Sequence, residues 1–248
     1  MRPRGGQPIA LPELFLGLLS IGAAVVLTAL IVSGAVHDAR HTRDTLSVTG
    51  SARKPISADL VRWSLTVSSE APTAAPAARR LRTEIDRVRG FLHGAGIPAE
   101  SISPSVVTSE AIVEELPHHR HRTHYRVAQR LDISTRQIDV VERASQGLAG
   151  LIERGIDVSA DPLAYISTEL TKAKLEALQA ATDDARQRAE ILVRGLGGKL
   201  GTMRSSSLGV YQITPRDSTE VSDYGVNDTS SREKDVMATV SATFAVKS

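Results

Sequence analysis

Four histidines lie close together near the middle of the chain, and a metal ion is what such side chains bind best. They are His118, His119, His121 and His124, in a polar stretch. In an extended chain His119 and His121 point to the same side, a spacing that can chelate zinc or nickel. The chain has no cysteine, and no nearby carboxylate completes a convincing ligand set. His119, His121 and His124 are therefore weak metal candidates, and a solvated hairpin loop is the simpler interpretation.

The glycine-rich stretch Gly195–Lys199 has a superficial likeness to a phosphate-binding loop. The Walker pattern needs Gly five positions before its Gly-Lys pair and Ser or Thr after it, but Val193 and Leu200 occupy those places. A phosphate loop also precedes a helix, whereas this stretch follows one in our assignment. The stretch is predicted to be a helix C-cap and turn.

Carboxylates are frequent between Pro215 and Arg232, but their spacing fits no EF-hand calcium loop. Basic residues flank them, so local ion pairing is the simpler account. The chain has no G-x-S-x-G elbow, and its histidines other than His93 lie in predicted loops or the linker. The sequence therefore predicts no catalytic residue, no cofactor and no enzymatic activity, although a hydrolase without a signature is not ruled out by motifs alone.

The composition is that of a globular protein. The 248 residues are 41% hydrophobic and 23% charged, with a formal net charge of +2. Only 3% are aromatic, so the core has to be built from Leu, Ile, Val and Ala. The small net charge and the scarcity of aromatic residues argue against a nucleic-acid partner.

The segment Leu14–Val36 has no charged side chain, and we predict that it crosses a membrane. As a helix it would be about 35 Å long, enough for a hydrocarbon core of roughly 30 Å. It is longer than the apolar part of a cleavable signal peptide, which favours a permanent anchor. Residues 1–13 then form a cytoplasmic tail, 37–44 a linker, and the rest lies outside the cytoplasm. Small residues at four-residue spacing are candidates for helix packing in the membrane: Ser20, Ala24 and Thr28.

Alternating and helical hydrophobic patterns divide the remainder into strands and three helices. Alternation predicts strands over 45–51, 58–69, 102–115, 125–134, 156–167, 200–214 and 236–246. Leu65 and Val240 should face inward, and Thr66 outward. Helices are predicted from Thr73, a plausible N-cap, to residue 94, and over 137–153 and 168–194.

The predicted buried stripe of the first helix contains Leu81, Ile85, Val88 and Leu92, with Glu84 among the surrounding polar residues. For the third helix, the pattern favours a stripe of Leu175, Leu178, Ala185, Ala189 and Leu192. The irregular order of strands and helices predicts an α+β domain over 45–248, with antiparallel sheets and about three packed helices. A division of this domain into two lobes near residue 135 is one interpretation.

The order of these pieces resembles the bacterial SIMPL-domain proteins, the periplasmic immunogenic or oxidative-stress-defence family. The likeness covers nearly all of 45–247 and rests on segments in a characteristic order, none of them diagnostic alone. These are the opening strand Leu46–Ala52, the helix end Leu92–Ile97, the step Ile102–Ser105, the strand start Tyr125–Val127, the turn Gly198–Gly201 and the C-terminal strand.

The resemblance implies an extracytoplasmic domain without established enzymatic activity. It also implies ring-like or hollow homo-oligomers in some members and links to oxidative or envelope stress in others, but no catalytic residues. We expect a membrane-anchored protein that associates with itself, and the alternative is an envelope module that binds a small ligand, a metal or a partner protein. Long loops are usually functional or disordered, so the segment 211–231 is the predicted contact. Its interface candidates are Tyr211, Val221, Tyr224 and Val226.

Overall fold

The computed structural model describes residues 44–117 and 120–247. The predicted transmembrane helix with Ser20, Ala24 and Thr28 lies outside these ranges, as do His118 and His119. Within them, no helix is both long enough and apolar enough to cross a bilayer. The elements are β1 Thr45–Ser57, β2 Leu60–Ala71, α1 Ala74–Gly94, β3 Ile102–Pro104, β4 Thr108–Leu116, β5 Arg120–Thr135, α2 Ile138–Gln146, α3 Ala149–Glu153, β6 Asp157–Ala160, β7 Ala164–Ile166, α4 Leu170–Gly195, β8 Lys199–Leu208, β9 Gln212–Pro215, β10 Val226–Asn227 and β11 Glu233–Lys247.

The strand β2 organises a six-stranded sheet. It pairs antiparallel with β5 along its whole length and, on its other side, with β6 and β7. Leu65 lies opposite both Leu131 and Ala160 and is completely buried, whereas Thr66 is half-buried on the other face. The alternation in the sequence therefore gave the correct register for this strand.

The helix α1 covers one face of this sheet, packing on β2 and β5. Its predicted stripe is confirmed, because Leu81, Ile85, Val88 and Leu92 are all buried. Thr73 is the N-cap residue, but its hydroxyl makes no capping hydrogen bond. Glu84 was expected among the exposed polar residues. It is instead buried beside the stripe, and its Oε2 has no hydrogen-bond partner.

The second sheet has five strands, in which β1, β8 and β9 pair with β11, and β10 pairs with β9. The helix α4 packs in two clusters: Ala173, Ala177 and Ala181 with Val236 and Val240, and Ala185 and Ala189 with Val48, Ala242 and Phe244. The predicted stripe is partly wrong, since Leu175 and Leu192 are 61% and 48% exposed. Alanines four residues apart form one narrow ridge, which lets the helix backbone approach its neighbours closely.

The described chain divides into two compact units, each made of separate chain segments. One contains 44–50, 184–207 and 241–247, and the other contains 51–117, 120–183 and 208–240. This division differs from the single boundary near residue 135 that the sequence suggests. Even so, the α+β class with antiparallel pairing and three main helices is confirmed.

Several elements differ from their predicted bounds because short breaks interrupt the hydrophobic patterns. Gly147 separates α2 from α3 within the predicted second helix, and residues 161–163 separate β6 from β7. Residues 209–211 likewise divide the predicted strand 200–214 into β8 and β9. The strands β1 and β11 also extend beyond the predicted ends, β1 to Ser57 and β11 from Glu233 to Lys247.

Candidate functional site

The segment after β9 is the longest connection of the chain that the structure describes, and two buried polar side chains hold it in place. The first is Gln212, only 5% exposed. Its Nε2 donates to the Ser222 carbonyl at 2.6 Å, and its Oε1 accepts from the Ser222 N–H at 3.3 Å. The amide thus bonds to a backbone N–H and C=O as a neighbouring strand would. We call residues 216–227 the presented loop.

The presented loop returns to the sheet through a glycine turn. Gly225 has φ +83°, a conformation that side chains disfavour, and a Cβ there would lie 2.8 Å from the Tyr211 carbonyl oxygen. Directly after it, Val226 and Asn227 pair in parallel with Gln212 and Ile213. The segment was expected to lack regular structure, and this short strand corrects that expectation.

The second buried group is Lys234, whose side chain is 4% exposed. Its Nζ donates to the carbonyl oxygens of Tyr165, at 2.8 Å, and of Asp228, and lies 3.9 Å from the Asp228 carboxylate. Burial lowers the pKa of Lys234, while Asp228 opposes that shift. A lysine with a lowered pKa can act as a nucleophile, but this one is enclosed and hydrogen-bonded. It therefore serves to fix the end of the loop.

Hydrogen bonds from the residues that follow it favour the ionised form of Asp228. Burial alone would raise its pKa, but hydrogen bonds from Ser230 and Ser231 outweigh burial and lower it. Arg232 continues the polar contacts, with Nη1 2.6 Å from the Asp139 carboxylate at the start of α2. The loop therefore ends in a network of charge-assisted bonds, which are stronger than neutral ones.

The four interface candidates divide into two exposed and two partly buried residues. Tyr224 is 97% exposed and Val221 is 64% exposed, both on the presented loop. Tyr211 packs beside the alanines of α4, and the Lys174 Nζ lies 5.5 Å from its ring centroid. Val226 is half-buried within β10. Only Tyr224 and Val221 are thus placed to meet another molecule with most of their surface.

An open, mostly apolar groove of about 480 Å³ is lined by Val221 and by Asp223, the chain neighbour of Tyr224. Leu208, Val210 and Val221 are its large exposed apolar side chains, at 52%, 45% and 64%. Gln212 and Ser222, whose two hydrogen bonds we call the Gln212 clamp, line it as well, so the contact that orders the loop also shapes the groove. Exposed apolar side chains grouped in this way mark binding surfaces more often than scattered ones do.

The histidine stretch is not a loop where the structure describes it. His121 and His124 belong to β5, which begins at Arg120, so the predicted hairpin loop is shorter than expected. Residues three apart in a strand face opposite sides, and these two imidazoles therefore do not converge. His121 lies opposite Glu115, and the His124 Nε2 is 3.4 Å from the Glu70 carboxylate.

The acidic residues of 215–232 do not gather either. Arg216 pairs with Glu233 at 2.9 Å, and the Asp217 N–H bonds to the Asp235 carboxylate. Across ranges 44–117 and 120–247, no three His, Asp or Glu side chains are grouped to hold a metal ion. Local ion pairs and hydrogen bonds therefore account for these charges.

Sequence reasoning missed Gln212 and Lys234, although a signal was present for each. Lys234 has the same parity as Val236, Ala238 and Val240, so alternation already placed it on the buried side of β11. Gln212 interrupts an apolar run in the same manner. A polar residue at an inward position needs a hydrogen-bond partner, and here that partner is the loop.

Comparison with known proteins places most of the chain in one family. A family model described as "SIMPL: Protein of unknown function (DUF541)" matches residues 46–244. No curated protein matches the chain. Among solved structures it is similar to "The crystal structure of a putative aminohydrolase from methicillin resistant Staphylococcus aureus", with 13% identity and a TM-score of 0.23. That alignment covers 56% of this chain and 39% of the other, and so low a TM-score carries no argument about activity.

Proposed function

Because the chain belongs to the SIMPL family, we propose that it is a membrane-anchored extracytoplasmic domain that associates with itself through the presented loop. Leu14–Val36 is the proposed anchor, with a cytoplasmic N-terminus and the domain in the periplasm or outside the cell. Self-association gives a ring- or cage-like homo-oligomer in the cell envelope. The proposal assigns no catalytic step, no cofactor and no nucleic-acid partner.

The observation that carries the proposal is the exposed ring of Tyr224 on a loop that hydrogen bonds hold in one conformation. Tyrosine is enriched among the residues that contribute most to protein interfaces. A mobile surface loop would not need the buried Gln212 clamp, the Gly225 turn and the Lys234 network that fix this one. A fixed loop with an exposed aromatic ring supports a surface built for contact.

A second copy of the chain is the proposed occupant of the groove. Tyr224 projects from each molecule, and each molecule also has an apolar groove lined by Leu208 and Val210. Val221 lines the groove, so the Tyr224 side chain and the groove adjoin each other. In the proposed contact the Tyr224 side chain of one molecule occupies the groove of the next, and such head-to-tail contacts close into a ring when the rotation allows it.

The groove also favours a second candidate, an envelope module that captures a small apolar ligand or a partner protein. A volume of about 480 Å³ is in the range of small-molecule pockets. This candidate predicts a monomer in solution, so the oligomeric state separates the two. The link to oxidative or envelope stress comes from the resemblance alone, and survival of a deletion strain under oxidants would test it.

Light scattering coupled to size exclusion, on the full chain in detergent, tests self-association. We expect an oligomer that dissociates when Tyr224→Ala and Val221→Ala are combined, because the change removes both exposed apolar contacts of the loop. Val106→Ala is the matched control, since Val106 is 81% exposed but lies elsewhere on the surface. It should leave the oligomer intact.

The outcomes separate the parts of the proposal. A parent chain that is monomeric at tens of micromolar would contradict self-association. An oligomer that survives the double substitution would contradict only the placement of the contact. Recovery of a shortened chain beginning near Val36, in place of one retained in membranes after an alkaline wash, would contradict the anchor.

A further inference from the structure

Three large apolar side chains lie exposed where α4 ends. Leu196 is 88% exposed, Ile191 61% and Leu192 48%, and we call them the apolar tip. The Leu196 N–H donates to the Leu192 carbonyl at 3.2 Å, so both belong to the closing turn of the helix. Gly197, with φ +79°, then reverses the chain into β8. This turn leaves Leu196 in solvent.

The apolar tip is not needed for the local core. Within the same helix, Ala185, Ala189 and Val193 are buried, the two alanines against Val48 and Phe244. The tip side chains are therefore surplus to this packing. Exposed leucines grouped at a protruding turn indicate contact with an apolar phase or partner.

Basic residues flank the apolar tip along the chain and at the adjacent strand end. Arg194, Lys199 and Lys247 are exposed, and none of them forms an ion pair with any residue in the ranges 44–117 and 120–247. Asp44 and Glu190 are the acidic residues described at this end of the unit, and Glu190 pairs with Arg186 at 3.0 Å. Apolar groups flanked by Lys and Arg are typical of surfaces that bind anionic bilayers.

The chain itself brings this end of the unit towards the membrane. The Val246 N–H donates to the Asp44 carbonyl at 2.8 Å, so the described chain begins beside the end of β11. A Cβ at Gly198 would lie 3.1 Å from the Lys247 carbonyl oxygen, so the turn after the tip lies beside the same strand end. Seven residues, 37–43, separate Asp44 from the proposed anchor, and they span at most about 25 Å.

We propose that the apolar tip inserts into the interfacial layer of the bilayer that the anchor crosses, with Arg194, Lys199 and Lys247 on anionic headgroups. This inference rests on the membrane anchoring in the proposed function. A second copy is a poorer occupant, because three side chains cannot supply the roughly 800 Å² that each partner of a stable protein interface buries. A bilayer needs no such area once the anchor holds the domain close to it.

The absence of cysteine allows a direct test in the full chain. Leu196→Cys is labelled with an environment-sensitive fluorophore, and the protein is reconstituted into vesicles of phosphatidylcholine and phosphatidylglycerol. A brominated phospholipid then serves as a quencher within the bilayer. The control is Ser207→Cys, exposed in the same unit but about 26 Å along β8 from Lys199.

We expect a blue-shifted label and several-fold stronger quenching at position 196 than at 207. Arg194→Gln with Lys199→Gln should weaken quenching at 196, since each basic side chain at an anionic surface favours binding by about five-fold. In vesicles of phosphatidylcholine alone, this double substitution should have little effect.

Retention of the chain in floated vesicles after an alkaline wash is measured first. If the chain is not retained, the anchor fails and the inference falls with it. If it is retained but the label at 196 stays in water, as at 207, the inference is overturned while the anchor stands. Equal quenching with and without phosphatidylglycerol, unaffected by the double substitution, would overturn the role of the basic residues.

Discussion

The two helix-covered regions of this protein are packed with different side chains. Under α1, the core contains Trp63, Leu65, Leu92, Leu131 and Ile133, all at most 2% exposed. Along α4, the buried helix positions are filled mainly by alanine, from residue 173 to residue 189 in steps of four. The first region is packed by large interlocking side chains. The second is packed by a close approach of the helix backbone to its neighbours.

The difference teaches that hydrophobicity and burial are separate signals in this chain. In the first region the most apolar residues are the most buried. Along α4 the order is reversed, since Leu175 and Ile191 are each 61% exposed while Ala181 and Ala185 are fully buried. Small residues fill the buried positions from 173 to 189, which indicates a close approach of the helix to the sheet and should make the two regions sensitive to opposite changes.

The largest effect should come from a charge in the first region. Leu65→Asp places a carboxylate opposite Leu131 in a fully buried position, and we expect a loss of more than about 4 kcal/mol in the free energy of unfolding. Thr66→Asp is the neighbouring control. It lies opposite Arg130 on the other face and should cost less than about 1 kcal/mol. Equal denaturant midpoints for the two variants would contradict the register of β2.

Opposite changes in size distinguish the two regions more finely. Leu92→Ala leaves a cavity under α1 and should cost about 2–5 kcal/mol. Ala185→Leu overfills the contact under α4 and should cost about 1–3 kcal/mol. Leu175→Ala is the same substitution as Leu92→Ala but at an exposed site, and it should change stability by less than about 0.5 kcal/mol. Thermal unfolding of the three variants measures this, and a harmless Ala185→Leu would mean that α4 is not closely packed.

Two carboxylates give the smallest effects, with opposite signs. Asp59 accepts hydrogen bonds from the Thr168 hydroxyl and N–H, just before α4, and these lower its pKa. Glu84 lies on α1, and its burial there raises the pKa of its carboxyl group. At neutral pH, Asp59→Asn should lower the free energy of unfolding by about 1–2 kcal/mol, and Glu84→Gln should raise it by up to about 1 kcal/mol.

The pH dependence follows from the same directions. Asp59 stabilises the fold above its unfolded pKa of about 3.9, and this contribution disappears as the pH falls through its lower folded pKa. Glu84 behaves in the opposite way, because a raised folded pKa means that its ionisation opposes folding above its unfolded pKa of about 4.3. Urea unfolding at several pH values would detect both, and a stability gain from Asp59→Asn at neutral pH would contradict the first.

The sequence predicts the first region well and the second poorly, and the packing explains why. Alternation in β2 and a stripe of large side chains on α1 are strong signals, because large apolar residues are nearly all buried there. On α4 the pattern drew attention to Leu175 and Leu192, whereas an equally regular series of alanines formed the buried ridge. The burial of Glu84 was not predicted for a similar reason, since a charged side chain is normally expected to be exposed.

The candidate site was predicted as a stretch of chain with four interface candidates, without their relative exposure. Its length and its mixture of aromatic and charged residues singled out 211–231, and Tyr224 is fully presented there. The sequence could not separate Tyr224 from the half-buried Tyr211, because the burial of each ring depends on contacts with residues distant in the chain. What separates them is the pairing of β9 with β10 and the hydrogen bonds of Gln212, contacts that bring together residues ten or more positions apart.

The Gln212 clamp has a consequence for the energetics of binding. A loop that becomes ordered only on contact loses conformational entropy at that moment, and affinity falls accordingly. Here Gln212 and the Gly225 turn impose the loop conformation when the domain folds. The entropic cost of ordering the loop is thus borne by folding, and whatever meets Tyr224 encounters a surface that is already preorganised.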